Sequence, residues 1–571
     1  MEQNSLITNL LKDVDYYEYL VQYQGDILAE MKSYPQYKVI IINDKYAILI
    51  ISKDDSSIVD EETNFSTIVY IKPPEMFTLQ SISPKSASQV SFIQCDKPLS
   101  LYGDGVDIAI LDTGIDYLNE EFMDDEGKTR VNLIWDQTIS RDDQKYDISV
   151  PFGHVFSKEE IQSAIDAKRR GENPYNIVPS VDEIGHGTEM AGIIAASGKN
   201  KDFTGMVPKS SIIAIKLIED YAFEKYFYSE VPVFNISIIF SALEFLYQYA
   251  LKNSRPMVIY FPLGSNLGNH NGTAILDQFI NAISLTTKII VVTGTGNEQR
   301  SGCHTSGRLS ENEKTKFINI HVSKEEKNLW VEIWVENPNI FSVDVISPSG
   351  ESSGVVNTLI NRTSNYNYIF EKTNMKVNYY LPEESTGAEL IRIRFYDLQP
   401  GIWGLRIIGN EIFDGQFNVW MPQRGITHRG TYFSPDDIYG TITNPGNTEI
   451  TATVAAYNQN NNTLVDYSGI APQNSSIIDV AAGGVNALTF TSGGKPVLVN
   501  GTSVAAAIVA GACAMLLEWG VVEGNYPNMY AMTIKTYLKR GVTRRSGDNI
   551  YPNSNWGYGI LNIYNIFNEI N

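Results

Sequence analysis

Asn500-Gly501-Thr502-Ser503-Val504-Ala505-Ala506-Ala507 runs from a small polar turn straight into Ile508 to Gly511, all of it small or apolar. The pattern predicts a turn that opens a buried helix, with the hydroxyl of Ser503 at the helix N-terminus. There the unpaired backbone N–H groups and the positive end of the helix dipole favour negative charge. Such a position suits a nucleophile whose attack creates an oxyanion. A small-residue helix after a glycine turn is also an ordinary way to fill a core, and periodicity alone does not separate the two. The remaining chain has to decide.

At 571 residues the chain is too long for one ordinary domain, and 43% apolar with 19% charged residues is a globular composition. A formal net charge of -22 argues against nucleic acid or an anionic membrane as main partner. Cys95, Cys303 and Cys513 are too few and too scattered for a disulfide framework or a metal site. Met1 to Tyr17 has neither a basic n-region nor an apolar h-region, so no Sec signal is read and an intracellular protein is expected. The longest apolar run, Val504 to Trp519, is interrupted by Gly511 and Glu518 and is short for a membrane span.

Residues 1–80 read as a small α+β unit. Helices are expected over Leu6 to Leu20 and Gln24 to Met31, and strands over Tyr37 to Ile42, Tyr46 to Ile51 and Thr67 to Ile71. Pro73-Pro74 starts an extended tail that ends in Phe77-Thr78-Leu79-Gln80. From about residue 100, apolar strands alternate with helical patterns. Strands are expected at Val106 to Leu111, Ser211 to Leu217, Met257 to Phe261 and Lys288 to Val292, which implies an α/β fold: a parallel sheet with helices on both faces. Between about 306 and 430 helical patterns vanish, and short strands such as Leu329 to Glu336 and Trp403 to Ile408 suggest an inserted β-sandwich. The α/β pattern then resumes, with strands at Ile450 to Ala455 and Ile477 to Ala481 and closing helices at Met532 to Leu538 and Ile560 to Phe567.

Three segments share one design. Asp112 ends a buried strand, His186 opens a helix between Gly185 and Gly187, and Ser503 opens another. Sites in open parallel sheets lie beyond the carboxyl ends of the strands, so the three residues can meet there. A serine hydroxyl needs a base to take its proton, and a histidine can serve when a carboxylate fixes its tautomer. Singly, each has a structural reading: Asp112 as a turn residue, His186 as a packing histidine, Ser503 as a helix start. The chain order Asp, His, Ser is that of the subtilisins.

Asp112-Thr113-Gly114-Ile115-Asp116, Gly185-His186-Gly187-Thr188 and Gly501-Thr502-Ser503-Val504-Ala505-Ala506 together resemble the three signatures of the subtilisin-like serine proteases, the subtilases. The N-terminal unit and the inserted sandwich make the chain most similar to the clostridial germination-specific Csp proteases. The resemblance implies a prodomain at 1–80, a catalytic domain in two parts, 81–305 and 431–571, and a jelly-roll at 306–430. It further implies Asp112, His186 and Ser503 as catalytic, Asn297 as oxyanion donor, and Leu263, Gly264, Ser265, Gly294, Thr295 and Gly296 as residues flanking the substrate. Self-processing is expected after Gln80, where the extended tail could lie in the substrate groove.

Two departures stand out. Ala507-Ile508 replaces the usual Pro-His pair after the nucleophile, and Lys199 stands where many subtilases have an asparagine ligand for calcium. A cation there is repulsive, so no metal is expected at Ser197 to Thr204, and no cofactor elsewhere. The expected partners are a protein substrate and the chain's own prodomain. The Csp likeness adds a spore-associated setting and the proform of a cortex hydrolase as substrate. Two other readings stay open: a general intracellular subtilase, and a catalytically silent binding or sensing scaffold.

Overall fold

The computed structural model describes residues 10–55, 65–72, 74–79, 86–95, 99–141, 146–200, 203–286, 288–357, 363–545, 547 and 550–568. Gln80, the expected processing point, lies outside the described residues.

The centre is a nine-stranded sheet. Asp107–Asp112 lies between Met257–Tyr260 and Ser211–Lys216, parallel to both. Beyond them the sheet continues in parallel through Ile289–Gly294, Ala452–Asn458 and Val480–Gly483 on one side and Val131–Asp136 on the other. Two short antiparallel strands, Thr463–Leu464 and His154–Ser157, flank Ala452–Asn458 and Val131–Asp136. Ile108, Ile212, Val258, Ile290 and Val454 are fully buried, as expected for parallel strands covered on both faces. The helix Thr502–Leu517 packs against the middle of this sheet and against the helix His186–Ala195. All 16 of its residues are buried. Continued to Val522, it is long and apolar enough to cross a membrane by composition, yet it is the core helix of this sheet.

The inserted part is two antiparallel sheets. One has six strands, in the order His304–Arg308, Gln416–Trp420, Leu329–Val335, Glu389–Tyr396, Asn374–Tyr380, Thr363–Asn367. The other has four: Ile340–Ile346, Gly401–Glu411, Thr315–Val322, Tyr432–Ser434. Strict alternation along Gly401–Glu411 sends Trp403, Leu405 and Ile407 inward to meet Ile333, Ile391 and Val419.

The N-terminal unit is a four-stranded antiparallel sheet ordered Lys38–Ile41, Tyr46–Ser52, Tyr16–Tyr23, Ile68–Ile71. Of the helix expected over Leu6 to Leu20, residues 6–9 lie outside the described residues, Leu10 and Leu11 are helical, and Tyr16 to Leu20 are strand instead. Tyr16–Tyr23 is a strand that pairs with Tyr46–Ser52 along its length and with Ile68–Ile71 at its end. Tyrosines and valine fit a pleated surface between two partners better than their apolar spacing suggests. The second expected helix shortens to Ile27–Met31, capped by Asp26. Further on, the strand expected at Ile477 to Ala481 is shifted to Val480–Gly483, and the last helix shortens to Ile563–Asn568.

The units are packed together. Tyr46 sets its ring 5.1 Å from Phe240 and 6.2 Å from Phe279, on the helices Ile236–Asn253 and Ile275–Thr286. A separate apolar cluster joins all three parts: Met76 of the N-terminal tail, Phe223, Phe227, Val233 and Leu267 of the sheet domain, and Trp330 and Ile426 of the insert. Trp330 packs edge-on to Phe227 and donates its indole N–H to the Tyr226 hydroxyl at 3.2 Å. Trp330→Ala is expected to cost about 3–5 kcal/mol, the usual range for truncating a buried aromatic. An unchanged urea midpoint would mean that this cluster is not what joins the parts.

Candidate active site

Asp112 is the last residue of its strand and is fully buried. Its carboxylate lies 2.9 and 2.8 Å, through Oδ1 and Oδ2, from Nδ1 of His186, and it also accepts from the Thr113 amide at 2.7 Å. A carboxylate at Nδ1 fixes the proton there and leaves Nε2 as the nitrogen with a lone pair. The close approach depends on Gly187. A Cβ at that position would lie 2.1 Å from the Gly114 carbonyl oxygen and 3.1 Å from the Asp112 Cβ. The preceding Gly185 has φ 92°, a left-handed conformation that suits glycine and lets the chain turn into the helix.

A second carboxylate, not singled out in the sequence, holds this arrangement. Asp182 accepts from the amides of Gly185 and Thr188, both at 2.8 Å, and from the Thr188 hydroxyl at 2.7 Å. It accepts a fourth bond from the Thr113 hydroxyl at 2.7 Å. Asp182 therefore satisfies free N–H groups at the start of the His186 helix and ties that helix to the residue after Asp112. Its place four residues before His186 was the only available signal, and one aspartate in a polar loop carries little by itself.

Ser503 is the second residue of its helix and is fully buried. Its carbonyl accepts from the Tyr260 hydroxyl at 2.8 Å, at the carboxyl end of the strand beside that of Asp112. Its own hydroxyl has no hydrogen-bond partner among the described residues. Asn297 lies at the same helix start, where its Oδ1 accepts from the Thr502 amide at 3.3 Å and the Thr502 hydroxyl at 3.2 Å. With the oxygen so engaged, the amide group of Asn297 is left to donate. An amide N–H pair and a helix N-terminus beside a buried hydroxyl form a setting that stabilises an oxyanion.

The other sequence-derived positions divide. Leu263–Gly264 forms a short strand paired with Met76–Leu79, Leu263 opposite Leu79 and Gly264 opposite Thr78. Ser265 instead exchanges main-chain bonds with Asn444, at 3.1 and 2.9 Å. Gly294 ends a central-sheet strand, and the main chain of Thr295 and Gly296 is bound to Val454, Thr443 and Gly469. Among the described residues, none of these three pairs with the extended segment. Gly296 has φ 86°, and a Cβ there would lie 2.6 Å from the Thr443 hydroxyl oxygen, so Thr443 fills the space beside this turn. Cys303 is buried, and burial, then nearby Glu298, pushes its thiol pKa up to about 12.

At Ser197 to Asn200 the loop turns its donors inward. Glu121 accepts from the amides of Gly198, Lys199 and Asn200 at 2.8, 3.2 and 2.6 Å, and from the Ser197 hydroxyl at 3.3 Å. The Glu121 carboxylate is thereby engaged by the loop's own N–H and O–H donors. No group of His, Cys, Asp and Glu suited to a metal occurs among the described residues.

Burial lowers the His186 pKa, but the Asp112 charge and hydrogen bond, with Glu189 and Asp182 further off, outweigh it and raise the imidazole above its ordinary 6.5. A general base must be neutral, so activity should fall as pH drops through that raised value. Fluorophosphonate labelling of Ser503 is expected to reach half its maximal rate above pH 6.5. A midpoint at or below that value contradicts the assigned pairing. Asp182→Asn keeps the shape but turns an amide N–H pair toward groups that themselves donate. It should destabilise the chain by about 2–3 kcal/mol and slow labelling, and a thermal midpoint equal to that of the parent would contradict its anchoring role.

The subtilase family profile, Peptidase S8, matches residues 103–359 and 436–559. None of the curated proteins compared matches the chain. Among solved structures, the CspB protease of Clostridium perfringens superposes with a TM-score of 0.75 at 28% identity, covering 84% of this chain and 97% of that one. The epidermin leader peptide processing serine protease EpiP of Staphylococcus aureus gives 0.48 at 15% identity, covering 98% of this chain and 99% of that one. With the family profile spanning both parts of the sheet domain, and a buried aspartate–histidine pair at its centre, the chain belongs to the subtilases and is a serine endopeptidase.

Proposed function

We propose that the chain is a zymogen that cuts itself after Gln80 and is then held by its own N-terminal unit. The observation that carries this reading is the position of Met76–Leu79. It is the middle strand of a three-stranded sheet, between Phe234–Asn235 on one edge and Leu263–Gly264 on the other. An extended peptide added to exposed strand edges is how many proteases hold a substrate. Here the chain supplies that peptide itself. Phe77 is fully buried, its ring centre 6.0 Å from that of Phe261.

In this reading Ser503 attacks the carbonyl carbon of residue 80. His186 Nε2 takes the hydroxyl proton and later gives it to the leaving amine of residue 81. Asp112 orients the imidazole and stabilises the imidazolium, and Asn297 with the Ser503 amide stabilises the oxyanion. Water then releases the acyl group, and the new carboxyl end remains in the groove. The N-terminal unit is prodomain and inhibitor in one.

The proposed outside substrate is a protein with an exposed extended segment. Similarity to CspB makes the proform of a spore-cortex hydrolase the first candidate, in a spore-associated setting.

Wild type is expected to yield two pieces and Ser503→Ala one intact chain. Two whole chains, or cleavage of both proteins at residue 80, would refute self-processing. Removing the Asn297 donor by Asn297→Ala should slow cleavage about 10²–10³-fold, a loss for which a subtilisin is the measured case.

A further inference from the structure

Beyond Leu263–Gly264, the groove strand stops pairing with the peptide strand. Continuing the register would place Asn266 opposite Met76, but Ser265 has turned away to bond Asn444. A side chain from the inserted domain occupies the missing rung. Gln423, just beyond the insert's strand Gln416–Trp420, accepts the Asn266 amide on Oε1 at 3.2 Å. Its Nε2 donates to the Met76 carbonyl at 3.0 Å and to the Gly264 carbonyl at 2.9 Å. The carboxamide thus stands in for a peptide group between two strands that have separated.

The surroundings make this a built contact. Gln423 is 1% exposed. Its neighbour Arg424 donates its amide to Glu298 at 3.1 Å, and Glu298 follows Asn297 in sequence. The Met76 side chain is buried against Trp330 and Ile426 of the insert. One short segment of the insert therefore touches the peptide strand, the groove strand and the turn that carries the oxyanion donor.

We propose that the inserted domain completes the substrate groove, and that Gln423 is a positioning residue which fixes the peptide's register through the main-chain carbonyl at Met76. This rests on the reading that Met76–Leu79 lies as substrate. Met76 is the fifth residue back when Gln80 is counted as the first. The substrate class is an extended peptide of at least five residues before the cut. It is recognised at its far end through its backbone, with an apolar side chain there packed against Trp330 and Ile426. Loss of the rung lets the strand slip along the groove, and misalignment at the scissile bond lowers the rate without touching the reacting groups.

The test uses the full chain and times its self-cleavage after synthesis. Gln423→Ala and Gln423→Glu should each slow cleavage about tenfold, the glutamate because it keeps the shape but cannot donate to either carbonyl. Met76→Leu should cleave at close to the wild-type rate, since leucine keeps both the main-chain carbonyl and an apolar side chain in the cluster. Fluorophosphonate labelling of Ser503 should stay within about twofold of wild type in both Gln423 variants, because that small reagent needs no register. Cleavage at wild-type rate in both variants overturns the assignment alone. So does a parallel loss of labelling and thermal midpoint, which would make Gln423 merely structural. A wild-type chain that labels but never cleaves itself overturns the self-processing reading and this inference with it.

Discussion

A carboxylate with no access to water has to find its hydrogen bonds inside the protein, and at Asp112 that requirement shapes everything around it. The imidazole of His186 and the amide of Thr113 meet the need. For the imidazole to come so near, the next residue must lack a side chain, and Gly187 does. For the His186 helix to start at that point, its free amides need an acceptor, and Asp182 supplies one while gripping Thr113 as well. A charge left unpaired here would be expensive, so the pairing is a folding constraint before it is a catalytic one.

The second constraint is on backbone. Strand edges that open onto a groove carry main-chain groups that must bond to something. In this chain Met76–Leu79 bonds to both edges at once, and Gln423 covers the place where one edge turns away. The N-terminal sheet stays in position through contacts far from the groove. Tyr46 rests against Phe240, and the Tyr70 hydroxyl donates to Glu383 of the insert at 2.8 Å. The tail thus extends from a sheet that is itself packed against both other parts of the molecule.

What could be read from the residues was what depends on short-range pattern. Apolar strands followed by Asp112, and small-residue helices opened by His186 and Ser503, declare themselves within about ten residues each, and so does the switch to alternating strands in the insert. Three kinds of feature could not be read. Tyr16 to Leu20 was expected as helix because its apolar spacing suits one, but it lies in the strand Tyr16–Tyr23. Its strand state is imposed by partners that lie about 30 and 50 residues downstream. Asp182 and Gln423 matter only through what tertiary folding brings to them, and a lone aspartate or glutamine in a loop announces nothing. The Gly294–Gly296 turn was expected to flank the substrate, and that its main chain is taken up by Thr443, Gly469 and Val454 depends on tertiary neighbours that no local pattern shows.

The Ser197–Asn200 loop folds around Glu121. A loop shaped by a dissolved ion takes its order from the surrounding medium and loses it when that medium changes. A loop shaped by a tethered anion carries its template in the same covalent chain, at a local concentration that dilution and chelators leave untouched. That corner of the molecule takes its shape from one glutamate of its own chain.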